Sequence, residues 1–225
     1  MNNGSASFGA GVQEPGYYDM PLVVIAGING RQGTSVANAF LNGGGFRVRG
    51  LTSSPECASS NRWRALGVEI REETYADTQH IHASLEGATI IFAIISVRGL
   101  LKAQARELDI AYSVGLTRGV SPRKFAIEKA TWLGRALFDA ANDIPELTQF
   151  VLSTLPVLHI HNTAYATSIA AAEHMVQLRH VDYIKTLLPQ LWRKTILFKP
   201  SPRMEDYHST LKLVRILHST SFWDL

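Results

Sequence analysis

Residues 23–41 read VVIAGINGRQGTSVANAFL, in which Gly27, Gly30 and Gly33 stand between a β-branched run and a helix-like pattern. A glycine directly after a strand permits a tight turn, a second lets backbone approach a bound group, and a third lets the following helix pack closely on the strand. Backbone N–H groups at the start of that helix point outward and the helix dipole adds partial positive charge, so the turn favours an anion. The spacing Gly27-x-x-Gly30-x-x-Gly33 is one residue longer at its first step than the dinucleotide fingerprint, and the physical logic survives the insertion. A glycine turn of purely structural use is the competing reading.

Working outward, the context sharpens the motif. Leu22–Ala26 is an apolar run bounded by Pro21 and Gly27, the pattern of a strand buried on both faces. Val36, Ala39 and Phe40 share a helical face, and NGGG at 42–45 supplies a stop. FRVRGLT at 46–52 reads as a second strand, and a helical stretch with Trp63 and Leu66 then closes at Gly67. VEIREE at 68–73 is a third strand, and Asp77 can cap a helix that carries Ile81 and Leu85 and ends at Gly87. ATIIFAIIS at 88–96 is a fourth buried strand. This alternation implies βαβ units, a parallel sheet and right-handed crossovers.

The pattern continues less tidily. LLKAQARELDIAYSVG at 100–115 is helix-like, and residues 98–125 have no assigned role. AIEKATWLGRALFDAAND at 126–143 is an amphipathic helix with Ile127, Thr131, Gly134, Leu137 and Ala141 near one stripe. QFVLSTLP at 149–156 is a fifth strand, TAYATSIAAAEHMVQLR at 163–179 an Ala-rich helix, and KTILFKP at 194–200 a sixth strand. The last twenty residues read as a weakly patterned helix. The fold class is therefore α/β: a doubly wound, mostly parallel Rossmann sheet with helices on both faces and a small C-terminal substrate region. It divides into a flexible tail at 1–20, a nucleotide-binding core at 21–155 and a C-terminal substrate or interaction region at 156–225.

Composition narrows the function classes. With 225 residues, 46% apolar and 18% charged, the chain suits one main globular fold. The longest apolar run, ATIIFAIISV, has ten residues, which is short of a membrane span. Together with a leader that lacks a signal-peptide core, this places the chain in the cytoplasm, with the nucleus as alternative. The single cysteine, Cys57, suits a reducing compartment and excludes an internal disulfide. The net charge of +3 comes from scattered basic residues, too weak a signal for direct nucleic-acid binding and compatible with an anionic small ligand.

The end of the second strand selects the dinucleotide. An acid there would accept bonds from a ribose 2′-OH, whereas GLTSSPECASSNRWR offers none before Glu56. Thr52, Ser53 and Ser54 can donate to phosphate oxygens, and Arg31 inside the glycine loop can reach the same pocket, with Arg62 and Arg64 as further helpers. This favours NADP over NAD. Asn29 and Gln32 in the loop, Thr74 and Tyr75 after the third strand, and Ser96 and Val97 after the fourth complete the expected cofactor contacts.

These residues, with GRALFDAANDIPELTQFVLSTL, AAAEHM and TILFKPSPRMEDY further on, resemble the NmrA-like family of atypical short-chain dehydrogenase/reductases over about residues 20–207. The resemblance implies a Rossmann domain binding NADP(H) or NAD(H) and a small C-terminal substrate region. Family members are reductases of small carbonyl or alkene substrates, many in fungal secondary metabolism, or non-catalytic redox sensors that bind transcription regulators. A small-molecule substrate and a protein partner are thus the expected partners. Three departures stand out. Ser53 replaces the family's frequent Arg, and Ile169 replaces the Lys that reductases carry four residues before a Glu, here Glu173. The chain also ends where the family usually continues, which implies a shallow pocket or one completed by a partner.

The chemistry candidates are few. Tyr165 is the candidate proton donor, and Ser153 and Thr154 stand at the carboxyl end of the fifth strand, where open α/β sheets bind ligands. Equally, Tyr165 can be a helix residue against the sheet and the hydroxyls can cap the next helix. His159 and His161, with His174 or His180, lack a supporting carboxylate or cysteine, so no metal is expected. Trp63 and Trp132 are read as core residues.

Overall fold

The apolar run at Leu22–Ala26 is buried along its whole length and forms β1, the third strand across a six-stranded sheet. This computed structural model describes residues 16–73, 78–101, 121–154 and 169–200. The other strands are β2 (Arg47–Thr52), β3 (Glu69–Glu72), β4 (Ala88–Ala93), β5 (Gln149–Ser153) and β6 (Thr195–Phe198). Their order is β3-β2-β1-β4-β5-β6, and every neighbouring pair is parallel. The helices are α1 (Arg31–Gly43), α2 (Ala58–Ala65), α3 (Thr78–Leu85), α4 (Pro122–Asn142), α5 (Ile169–Leu187) and α6 (Pro189–Lys194). A further helical turn at 97–101 follows β4.

Strand alternation divides the core into two layers. Val23 and Ile25 of β1 join Ala37, Val48, Trp63 and Phe92 on the face covered by α1 and α2. Leu22, Val24 and Ala26 join Leu85, Ile91, Phe138 and Phe150 on the face covered by the later helices. Burying a large apolar side chain of this kind contributes about 1.5–3 kcal/mol, and both layers need β1 at their centre. That is why its sequence is apolar without alternation.

One charge is built into this core. Arg49 of β2 is only 7% exposed. Its Nε donates to Glu69 on β3 at 2.8 Å, and its Nη1 donates to the carbonyls of Ser84 and Glu86 at 3.1 and 2.8 Å. The arginine thus ties β2 and β3 to the C-terminal end of α3. A buried guanidinium is tolerated because its donors are met. Glu69, flanked by Arg49 and by Arg71, has its carboxyl held below the ordinary range by those cations against the opposing effect of burial.

From β1 the chain winds outward through β2 to β3, then crosses back and winds the other way through β4, β5 and β6. The reversal places a crevice between the carboxyl ends of β1 and β4, the location at which such sheets bind ligands.

Several details differ from the sequence reading. Trp132 is 48% exposed, because it lies two residues after buried Ala130 and so about 200° around α4 from the core stripe. That helix also starts four residues earlier than expected, at Pro122, since proline at a first helical position forfeits no intrahelical bond. Strand β4 ends at Ala93 and residues 94–96 leave the sheet. Helix α5 runs on to Leu187, and α6 was not anticipated. The expected C-terminal helix, the cap at Asp77 and most of 98–120 lie outside the described residues.

Candidate functional site

The glycine loop closes on backbone hydrogen bonds. The Gly27 amide donates to Leu51 O at 3.0 Å and the Gly30 amide to Gly27 O at 2.9 Å, turning the chain back within four residues. Gly27 adopts φ +79°, a conformation that side-chain-bearing residues rarely take. At Gly33 an added Cβ would fall 2.8 Å from Ile28 Cα and against the Gly27 carbonyl, so the start of α1 sits directly on the turn. The first helical bond runs from Thr34 N to Gly30 O at 2.8 Å, so the amides of Arg31, Gln32 and Gly33 precede it. No side chain caps this end, and no acid lies in the first turn. An incoming anion would meet these amides and the helix dipole together.

Asn29 fastens the loop to the end of β2. Its Nδ2 donates to Thr52 Oγ1 and to Ser60 Oγ, both at 2.9 Å, while Cys57 Sγ lies 3.5 Å away. Thr52 Oγ1 also receives the Ser54 amide at 3.2 Å, so this buried hydroxyl is taken up by the scaffold of the loop. Ser53, Ser54 and Arg31 are exposed. Of the other cations considered, Arg64 is held by Glu56 at 3.1 Å and Asn61 at 2.7 Å, and Arg62 is exposed on α2. Cys57 precedes α2, and its thiol is held below its ordinary range by the Ser60 hydroxyl. Neither Ser60 nor Cys57 was singled out as part of this network from sequence. The only hint was a polar Asn inside the glycine loop.

The second half of the crevice is formed by β4 and β5. Gly27 faces the residue after β4: a Cβ there would lie 3.6 Å from Ile94 O. Ser96 opens the helical turn at 97–101, its Oγ accepting the Gly99 amide at 3.1 Å. The turn is also met from α5, where Glu173 Oε2 accepts the Arg98 amide at 3.0 Å. Burial pushes the Glu173 carboxyl above its ordinary range, opposed by bonds from Arg98, Ser96 and Val97. At the end of β5, Ser153 Oγ donates to Gln32 Oε1 at 2.8 Å and so joins β5 to the first turn of α1. Thr154 follows, buried on the other face of the sheet, with its amide bonded to Phe198 O.

The structure thus brings Gly27, Asn29, Gly30, Arg31, Gln32, Gly33, Thr52, Ser53, Ser54, Ser96, Val97, Ser153 and Thr154 to one edge of the sheet, at the carboxyl ends of its parallel strands. Thr74, Tyr75 and Tyr165 lie outside the described residues, as do His159 and His161. His180 is buried against α4, and His174 is buried facing Thr154 and Leu197 at the ends of β5 and β6. Among the described residues no cluster of His, Cys, Asp and Glu could hold a metal, and no helix is long and apolar enough to cross a membrane.

A 75-residue stretch is 36% identical to an NmrA-like family domain-containing oxidoreductase of Aspergillus hancockii, covering 33% of this chain and 22% of that protein. The fold is similar to the triphenylmethane reductase of Citrobacter sp., solved with NADP(H), at TM-score 0.51 and 13% identity, over 88% of this chain and 55% of that one. It is equally similar to NmrA, a negative transcriptional regulator solved with NAD, at TM-score 0.52 and 16% identity, over 75% of this chain and 42% of that one. The chain therefore spans between a fifth and about half of the length of these proteins. The profile of the NmrA-like family matches residues 20–170, from the residue before Pro21 through β5 to the start of α5. Covering well over half of the chain and all of the glycine-loop crevice, that match shows that the protein belongs to the NmrA-like family.

Proposed function

We propose that the chain binds NADP(H) across the crevice and reduces a small organic carbonyl or alkene. The observation that carries this reading is the start of α1, which has neither a capping side chain nor an acid and sits on the glycine turn at the β1/β4 switch point. The amides of Arg31, Gln32 and Gly33 would receive the pyrophosphate. Arg31, Ser53 and Ser54, all exposed on the two segments that Asn29 and Thr52 tie together, would hold the 2′-phosphate. NADPH supplies the hydride when bound. On the protein's side, Ser153 presents a hydroxyl oriented by Gln32, Thr154 is the next residue, buried on the other face of the sheet, and Tyr165 is the proton donor. A place in fungal secondary metabolism, in the cytoplasm or nucleus, belongs to the same proposal, and the relative from Aspergillus hancockii supports the oxidoreductase part of it.

Titration of the purified protein with NADPH and NADH tests the cofactor. NADPH should bind about tenfold more tightly, and Arg31→Ala should shrink that preference to within about twofold. Equal affinities would remove the NADP preference, and no binding of either would overturn the reading.

A second reading is supported by Ile169, which opens α5 where reductases of the family carry a lysine. Isoleucine can neither hold a ribose hydroxyl nor lower the pKa of a proton donor. On this reading the protein is a non-catalytic NAD(P) sensor that regulates transcription through a protein partner. Ile169→Lys decides between them when NADPH oxidation is followed against a panel of carbonyls and enones. Turnover that rises in this variant, and falls on adding Tyr165→Phe, supports the reductase. Background rates in the wild type and both variants support the sensor.

A further inference from the structure

Two helix starts face the crevice, and they are treated differently. The α1 start has no side-chain cap. In the turn at 97–101 the amides of Arg98, Gly99 and Leu100 all have partners. Gly99 N donates to Ser96 Oγ at 3.1 Å and Leu100 N to Ser96 O at 3.2 Å, both local bonds. The other leading amides turn toward Glu173 of α5. Arg98 N donates to Glu173 Oε2 at 3.0 Å, and the Val97 amide and the Ser96 hydroxyl lie on the same side, where both favour its charged form. A carboxylate has about four acceptor sites, so one side chain has capacity for the Arg98 amide and for these neighbouring donors.

The arrangement has a physical purpose beyond satisfaction of the amides. A helical turn of this length does not hold itself in place, because nucleation fixes several dihedrals for one hydrogen bond. A charged acceptor at its start supplies both bonds and a favourable interaction with the local dipole. Because the acceptor belongs to α5, the turn after β4 is tied to the helix that opens with Ile169. The carboxylate also fills the anion-favouring start of this turn from within the protein. That leaves the α1 start as the place for a phosphate.

We propose that Glu173 is a positioning residue, clamping the Ser96–Arg98 turn to α5 so that the turn is set beside the nicotinamide end of the bound dinucleotide. This rests on the nucleotide-binding reading above. The clamp itself is readable without nucleotide, through amide exchange. In the full-length protein, the Val97 and Arg98 amides should exchange at least about tenfold faster in Glu173→Ala than in the wild type, while β1 amides are unchanged. Glu173→Gln, which keeps the size and one acceptor, should fall between them and covers the case in which the alanine variant fails to fold. For positioning, affinities for NADPH and for adenosine 2′,5′-bisphosphate, which contains only the adenine end, are compared. Glu173→Gln should weaken NADPH severalfold and the fragment by less than about twofold. Unchanged exchange at 97–98 overturns the clamp, and equal weakening of both ligands overturns the positioning role. If the wild type binds neither ligand while exchange still responds, the nucleotide reading has failed, the clamp stands and the positioning role falls.

Discussion

Gly33 leaves no room for a methyl group. A Cβ there would meet the Gly27 carbonyl and Ile28 Cα, both backbone, so no side chain can swing aside and α1 must lift from β1 instead. At Gly30 the nearest atom is the Gly27 carbonyl at 3.2 Å, which small adjustments can accommodate. We expect Gly33→Ala to cost about 1–3 kcal/mol and to weaken NADPH binding by at least tenfold, with a smaller stability loss for Gly30→Ala. Urea unfolding and nucleotide titration of the two variants check this, and equal midpoints would show that close packing is not what the third glycine serves. This role was legible in sequence because backbone crowding after a strand follows from spacing alone. Asn29 was different. Its partners Thr52 and Ser60 lie 23 and 31 residues away, and only the folded turn shows that Thr52 supports the loop from inside.

At the scale of elements, the packing of α4 on α5 turns on a glycine and a histidine. His180 of α5 is 1% exposed, lies over Gly134 of α4, and meets Phe138 edge-on with ring centroids 5.1 Å apart. One ring nitrogen reaches Ala130 O at 3.2 Å. Burial drives its pKa down to about 4, with the Arg135 charge adding to the effect. The unfolded chain, with an ordinary value near 6.5, takes up a proton first, so stability is fully present above about pH 6.5 and is lost as pH falls toward 4. Between pH 7 and pH 5 this one group should cost about 2 kcal/mol. His180→Gln should remove most of that pH dependence, measured as the change in urea midpoint over the same range. A slope as steep as that of the wild type would mean that other groups govern acid stability. The α4 stripe through Gly134, Leu137 and Ala141 was readable from its period. Trp132 misled because hydrophobicity alone does not say which side of a helix faces the core, and the fit of His180 over Gly134 joins residues on separate helices.

For the whole molecule, the parallel, doubly wound sheet and the two-layer core followed from β1 and the alternation of elements, since a strand apolar on both faces needs helices on both sides. The site was half legible. Its β1 and β2 sides are built from contiguous motifs, whereas Ser153 meets Gln32, and Glu173 meets Arg98, only because β5 and α5 return to the same edge. This division has a thermodynamic consequence. A dinucleotide lying across the β1/β4 crevice would touch both halves of the winding, and these share the core through β1 and β4. Binding to the folded state alone therefore stabilises the sheet as a unit. At a concentration one hundred times Kd, NADPH should add about 2.7 kcal/mol, or roughly 5–10 °C in Tm for a chain of this size, in one transition. Thermal unfolding followed by tryptophan fluorescence and by far-ultraviolet circular dichroism tests it. Trp63 reports the layer under α1 and α2, and Trp192, packed beside Leu191 of α6, reports the opposite layer. Coincident curves that shift together with NADPH meet the expectation. A shift confined to one probe would mean that unfolding is not a single transition and that the nucleotide does not hold the sheet as a unit.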